Sequence, residues 1–561
     1  MRRLHAVSIP IFVLFLALST VPRQALSMAP PPKGEMQRYA EDGSLRERIE
    51  RSIRVGNHRV NPQLVFNFQQ NMHRLLGLQP PQGFLPPAWT GMLPATGNVQ
   101  TLVLLVDFPD VPHKADQTVE DITLKVFGEG DPADVPYESL TNFYKRSSYG
   151  QLNISGKVLG WYRAAHERSY YRGLDNGADV LIKEILEYYH GQGETFSQYD
   201  NDNNGTIDGL FVKWTGPDNG WSGFWWAYQD YFHDKSYRID GKHIGPYVWS
   251  WYENAFQEGK PGYHASTDIH ETGHLFGLPD YYDYDEMTGP RGGVGELDMM
   301  DYNWGDHNCF SKFMLGWITP TVIPAGSKEV ALRPSGTSTD AVVVMSGGEA
   351  DPLREFFMVQ YRKKRNGNDP GDYPTSGLLI WHVDAAMGAK GWIFQYDNSY
   401  TPHKLLRLME ADGLEQIEND TGRADAGDFY KPPKKFALLT TPNSGEYVGP
   451  SGILIDRLVL PTTSSASAPI QARFTVKKLD RYKLKANVKG MGRITSEPAG
   501  IECGNRNICK ETFEVGTRVK LTAEPSSGYA FIGWGGACSG TGACETVMDA
   551  NRYVSALFKA K

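Results

Sequence analysis

Cysteine is scarce in this 561-residue chain: there are five, four of them (Cys503, Cys509, Cys538, Cys544) beyond residue 500, with Cys309 alone. That excludes a disulfide-dense scaffold for most of the chain, and an isolated Cys309 gives no support to a thiol protease. Basic charge is not in excess either. Lys and Arg total 57 against 65 Asp and Glu, a formal net charge of −8, so the footprint of a nucleic-acid partner is missing. Past the first two dozen residues no apolar run is long enough to span a bilayer, and no integral span is expected once the N-terminal segment is removed. No P-loop occurs, and no serine nucleophile motif has partners.

What remains is a soluble globular composition, 40% apolar and 22% charged, on a chain too long for one core. Gly (59), Tyr (29) and Trp (13) are plentiful, which favours β-rich, loop-rich architecture. Met1-Arg2-Arg3 precedes an apolar stretch from Ile9 to Leu18, and Ala25-Leu26-Ser27 offers a small-x-small cleavage site. The stretch is short for a membrane anchor and carries Pro10, so residues 1–27 read as a signal peptide and the protein as secreted and extracellular. In an exported protein the late cysteines, two local pairs with partners six residues apart, read as two disulfides in a small terminal module. Spacing leaves the other two pairings open, and the gaps are long for a zinc knuckle.

The expected fold class is α+β multidomain. Residues 28–97 form a leader, with helical sequence near Arg38–Arg54 and Pro62–Leu76 and a linker at Pro80, Pro81, Pro86 and Pro87. Residues 98–320 alternate strands (Thr101–Val106, Leu152–Trp161, Ile207–Trp214) with helices (Glu138–Tyr149, Gly177–His190, Ile269–Leu278). Residues 321–480 carry short strands between turns, a β-sandwich-like block, and residues 481–561 are all short strands.

The chemistry is concentrated in His270-Glu271-Thr272-Gly273-His274-Leu275-Phe276-Gly277-Leu278-Pro279-Asp280. On a helix, His270 and His274 share a face and can bind one zinc ion. Glu271 lies beside them, placed as general base toward a zinc-activated water. Gly277 permits a sharp turn that brings Asp280 back as third ligand, and three protein ligands are the complement of a catalytic zinc site. A second metal signal is Asp200-Asn201-Asp202-Asn203-Asn204-Gly205-Thr206-Ile207-Asp208. Oxygen side chains at Asp200, Asp202, Asn204 and Asp208, with Gly205 at position six, follow a calcium loop whose closing glutamate is replaced by Phe211. Glu410, Asp412, Asp425 and Asp428 form another acidic group, read as a solvated loop. The aromatic run Trp221–Phe232 reads as core and His382 as structural. His264 and His307 flank the motif and are weaker candidates for touching substrate.

The extended motif, running on through Tyr281-Tyr282-Asp283, resembles that of the immune inhibitor A family of secreted bacterial zinc metallopeptidases. It is also similar to that of snapalysin, a metzincin whose third ligand is an aspartate. Val106-Asp107-Phe108-Pro109-Asp110, Ser147-Ser148-Tyr149-Gly150 and Ser376–Asp384 fit the same family, so the resemblance covers roughly residues 98–430. It implies a metzincin-like domain over 98–320, a Met-turn at Met300 (with Met299 adjacent), and Tyr302 near the metal as support for the oxyanion. It also suggests a stabilising calcium. The terminal module resembles small β-rich modules of bacterial surface and secreted proteins, with surface or matrix attachment as its implied role.

The expectation is therefore a secreted zinc endopeptidase, made as a latent precursor, acting on protein or peptide substrates, with Zn2+ and Ca2+ as cofactors. The leader holds no cysteine, which excludes a cysteine switch and leaves a carboxylate or histidine for that task. Two rivals stand beside it: a non-catalytic adhesin on a peptidase scaffold, and a zinc hydrolase of a non-peptide bond.

Overall fold

The computed structural model describes residues 33–79, 85–87, 91–252, 263–285, 288–323, 326–345, 354–437, 440–447, 449–461, 470–478, 481–504, 508–514, 517–548 and 551–561. The expected signal peptide and the Pro80-Pro81 part of the linker lie outside them.

Gly97–Asp107 is the organising strand of a five-stranded sheet, because Thr101 to Asp107 is buried throughout. It lies between Leu152–Arg163 and Leu210–Trp214, followed by Pro246–Trp251 and, at the edge, Tyr228–Tyr231. All pairings are parallel except the last, which is antiparallel. Alternation divides its side chains between two cores. Leu102, Leu104 and Val106 pack with Leu181, Ile182 and Ile185 of helix Gly177–Gly191, whereas Val103 and Leu105 face the core that contains Ile269 and Leu275. The expected Ile207–Trp214 strand is broken. Thr206–Ile207 pairs with His243–Ile244 in a separate ladder, and Asp208 and Gly209 interrupt the run before Leu210 joins the main sheet. Gly209 is there because a Cβ would press to 2.7 Å from the Thr101 methyl.

The second sheet runs Leu406–Leu408, Gly377–Asp384, Glu355–Arg362, Val342–Met345, Thr321–Ile323. One face (Val342, Val344, Phe357, Val359, Ile380) packs on Ile453, Phe474 and Val476 from a three-stranded sheet, making the sandwich. The other face (Val343, Phe356, Met358, Leu379, Trp381) joins the core of the first block, so its central strands are buried on both sides. The leader is the wedge between them. Its helical stretch splits into Lys33–Glu41 and Leu45–Val55, and helix Pro62–Leu75 buries Leu64, Val65, Phe68 and Met72. The Phe68 ring meets those of Phe310, Phe313 and Phe394 edge-on at 5.4–5.8 Å.

The C-terminal unit has its own core around Leu484, Ile494, Phe513, Leu521, Val554 and Phe558, between two four-stranded sheets. Cys503 pairs with Cys509 and Cys538 with Cys544, while Cys309 is free and buried. Each bridge closes a short loop, worth about 2 kcal/mol in chain-entropy bookkeeping. Reduction should therefore lower the melting temperature of isolated residues 481–561 by ten degrees or more, read by circular dichroism; an unchanged melt would show the core alone is sufficient. Among the described residues no helix is long and apolar enough to cross a membrane.

Candidate metal centre

Helix Ser266–Leu275 is buried along its whole length. Its start is held by Asp268, a side chain with no exposed surface that accepts from Lys213 Nζ, from Ser250 Oγ (3.1 Å) and from Tyr263 OH. Met300 lies directly against Gly273: a Cβ there would collide with the methionine sulfur, so only glycine lets the turn at Met299–Tyr302 pack between the two histidine positions. Met299 is equally buried, but its contribution is its carbonyl.

His270 Nδ1 bonds Met299 O and His274 Nδ1 bonds Leu278 O, both at 2.8 Å. Carbonyls only accept, so each Nδ1 donates in its bond and each Nε2 is left to face Asp280. The chain reverses at Gly277 (φ +90°), and Asp280 Oδ1 comes to 2.8 Å from His270 Nε2 and 3.4 Å from His274 Nε2. Burial holds His270 toward its neutral form against the pull of Asp280. Two imidazole nitrogens and a carboxylate oxygen thus converge inside a buried site, the donor set that a shared cation takes. The three ligand atoms lie within 4.8 Å of one another. Asp280 Oδ2 accepts from Tyr284 OH, which fixes the carboxylate. Although burial opposes ionisation, His274 and His270 keep Asp280 well below the usual carboxylate range.

Glu271 is fully buried, and among the described residues neither carboxylate oxygen has a hydrogen-bond partner. Burial, with Asp280 and Asp268 adding repulsion against the opposing pull of Lys213, pushes its carboxyl well above the usual range. Tyr302 is half-buried at the end of the Met299–Tyr302 helix. His307 is buried beneath the motif helix, its Cε1 3.7 Å from the position of a Cβ on Gly273, which places it in the core rather than in a cleft. His264 is half-buried and bonds Ser266.

The leader reaches the same turn. Asp280 N donates to Asn57 O (2.7 Å), Asn61 N to Gly277 O (2.9 Å) and Leu93 N to Leu275 O (2.9 Å). The Asn57 amide, oriented to satisfy both partners, donates to Gln229 O (3.1 Å) and accepts from Gln229 N (3.2 Å) on the edge strand. His58 is buried between Tyr284 and Tyr400, and burial lowers its pKa to about 4. Lys213, Asp268, Tyr284 and Asn57 are neighbours of the motif that the sequence did not indicate. Tyr284 stood four residues past Asp280, where a ligand's hydrogen-bond partner could have been sought; the others come from distant segments.

The calcium-loop residues also converge. Asp200, Asp202 and Asp208 offer oxygens within 4.8 Å of one another. Asp200 Oδ2 accepts from Lys242 Nζ (2.6 Å), yet Oδ1 of both Asp200 and Asp208 is buried without a partner among the described residues. Burial, then repulsion from Asp202 and Asp200, pushes Asp208 up to about 7. Asn204 turns its amide nitrogen, not its oxygen, toward Asp202 (2.8 Å). The Glu410 group is solvated as expected only in part: Asp425 is exposed and Asp412 half-buried, but Glu410 and Asp428 are buried.

Residues 482–561 match the family model of the divergent InlB B-repeat domain. Over 110 residues the chain is 27% identical to the pre-pro-metalloprotease PrtV of two strains of Vibrio cholerae serotype O1. That match covers 16% of this chain and spans 12% of the length of those curated relatives.

Proposed function

We propose that the chain is a secreted zinc-dependent endopeptidase, made as a latent precursor. The observation that carries the reading is the convergence of His270, His274 and Asp280 within 4.8 Å beside the unpartnered, buried carboxylate of Glu271 on the same helix. Distant similarity to a metalloprotease precursor supports it.

His270, His274 and Asp280 would hold zinc, with Tyr284 and the Met299 and Leu278 carbonyls fixing their orientation. When bound, the ion supplies Lewis-acid activation of water and of the scissile carbonyl. Glu271 takes the proton from the attacking water and passes it to the leaving amine nitrogen. Tyr302 donates to the oxygen on which negative charge develops. Met300 forms the floor of a metzincin-like domain over residues 98–320. Asp200, Asp202, Asn204 and Asp208 hold calcium, with Asn204 turning its amide over to ligate. The B-repeat-like unit at 481–561 serves surface or matrix attachment.

The direct test is digestion of casein by the protein after limited proteolysis of its leader, with and without phenanthroline, followed by zinc addition. Hydrolysis should stop with the chelator and return with zinc. A folded, zinc-loaded protein that, with its leader processed, cuts neither casein nor short peptides would sink the reading in favour of a binding protein. For the calcium loop, added calcium should raise the melting temperature by several degrees through linkage. Asp200→Ala/Asp202→Ala should shrink that rise; an undiminished rise would show that the loop binds no ion.

A further inference from the structure

We propose a second divalent-cation site, taking a hard ion of the calcium type, formed by Glu410, Asp412 and Asp428 in the β-rich block. It does not depend on the endopeptidase reading. The three carboxylates present oxygens within 4.8 Å of one another. Glu410 retains 2% of its exposure and Asp428 none, so this is not a surface cluster of solvated acids. None of the three forms an ion pair among the described residues, although Arg407 nearby is engaged by Glu415 and Glu418.

Main-chain amides account for only part of their acceptor capacity. Glu410 accepts from Gln416 N (2.8 Å) and Ile417 N (3.2 Å), Asp412 Oδ1 from Leu414 N (3.0 Å), and Asp428 Oδ2 from Asp425 N (2.7 Å). Asp428 Oδ1 is buried with no partner among the described residues. An unpartnered carboxylate oxygen enclosed with two further carboxylates is costly, and a shared cation removes that cost. All-oxygen donors of mixed reach suit calcium, whose geometry is flexible, better than magnesium or zinc.

The position gives the ion a task. Residues 411–428 form a long loop laid against Gly292–Glu296, the segment that leads into the Met299–Tyr302 turn. Ala424 N donates to Gly295 O (3.2 Å), a Cβ on Gly295 would lie 2.6 Å from Ile417 Cδ1, and Arg423 pairs with Glu296 at 3.1 Å. Glu410 and Asp412 stand at one end of this loop and Asp428 at the other, joined by Ala411 N to Asp428 O (3.2 Å). A cation there staples the loop shut and so braces the floor of the metal centre.

The experiment counts calcium ions bound to chelator-treated, zinc-reloaded full-length protein by calorimetry, for the wild type, Asp428→Asn and the half-buried Asp412→Asn. Each variant should bind one ion fewer than wild type. A local readout accompanies it: trypsin cleavage after Arg423, whose side chain is 52% exposed, quantified by mass spectrometry. Calcium should slow that cleavage at least tenfold in the wild type and not in the variants, while Asp202→Ala, altered in the other loop, keeps the protection. Unchanged stoichiometry in Asp412→Asn, or cleavage at Arg423 indifferent to calcium in the wild type, overturns the site. Should Asp428→Asn fail to fold, Asp412→Asn and the wild-type protection decide it.

Discussion

Glu271→Gln should keep about one zinc per chain and an unchanged melting curve, yet lose on the order of 10²–10⁴-fold in peptide hydrolysis, the range for removing a general acid–base. Glu271 makes no hydrogen bond and is not among the three converging ligand atoms. Its amide replacement therefore removes proton transfer and little else. Asp280→Ala should behave oppositely. It deletes a ligand fixed by Tyr284 and by its main-chain bond to Asn57, so zinc content itself should fall. Asp280→His should recover part of the zinc, since imidazole is an equally good ligand. Zinc analysis paired with hydrolysis of a short peptide reads all three. Full zinc and near-full activity in Asp280→Ala would mean that another residue is the third ligand.

Lys213→Met should destabilise the main body by about 3–5 kcal/mol, the cost of leaving one member of a buried ion pair alone. Both side chains of the Lys213–Asp268 pair have no exposed surface, so solvent cannot compensate. Burial pulls the Lys213 pKa down, and Asp268 and Glu271 act against it; removing the ammonium leaves two carboxylates near each other at the start of the motif helix. Lys213→Met/Asp268→Asn should recover much of the loss, because the uncompensated charge is then gone. Chemical denaturation of the wild type and both variants measures this. A single variant within about 1 kcal/mol of wild type would show that the pair contributes little, as exposed pairs do.

The candidate ligands were legible in the sequence because one helical turn and one glycine place them, and local geometry is what spacing encodes. The same holds for Gly97–Asp107, whose continuous apolar run matches a strand buried on both faces. Elements set by distant partners were not legible. The strand ending at Trp214 breaks at Asp208 because that carboxylate returns to accept from Asn201 N (2.8 Å), which periodicity cannot register. Lys213 reads as a surface residue of a strand until Asp268 is brought to it across 55 positions. The acidic group at 410–428 reads as solvated because polarity is visible in sequence, whereas the loop that covers it is a tertiary fact. The packing of the leader was not legible for a related reason: its helix is amphipathic, and nothing local says that its apolar face closes the core of two later blocks.

The ties between the leader and the motif turn bear on the order in which the chain folds. Asn57 and Asn61 meet residues 277–280 across more than two hundred positions, so closing these contacts carries the entropy of a very long loop. During synthesis the leader is complete long before the turn exists. Until then the edge strand Tyr228–Tyr231 has a row of open main-chain groups, the kind of edge that recruits other chains, and Asn57 is the residue that meets Gln229 there. The leader is thus synthesised before both of the places that it meets, the edge strand and the motif turn. Removing the leader would leave the motif turn and the edge strand without these main-chain partners at the same time.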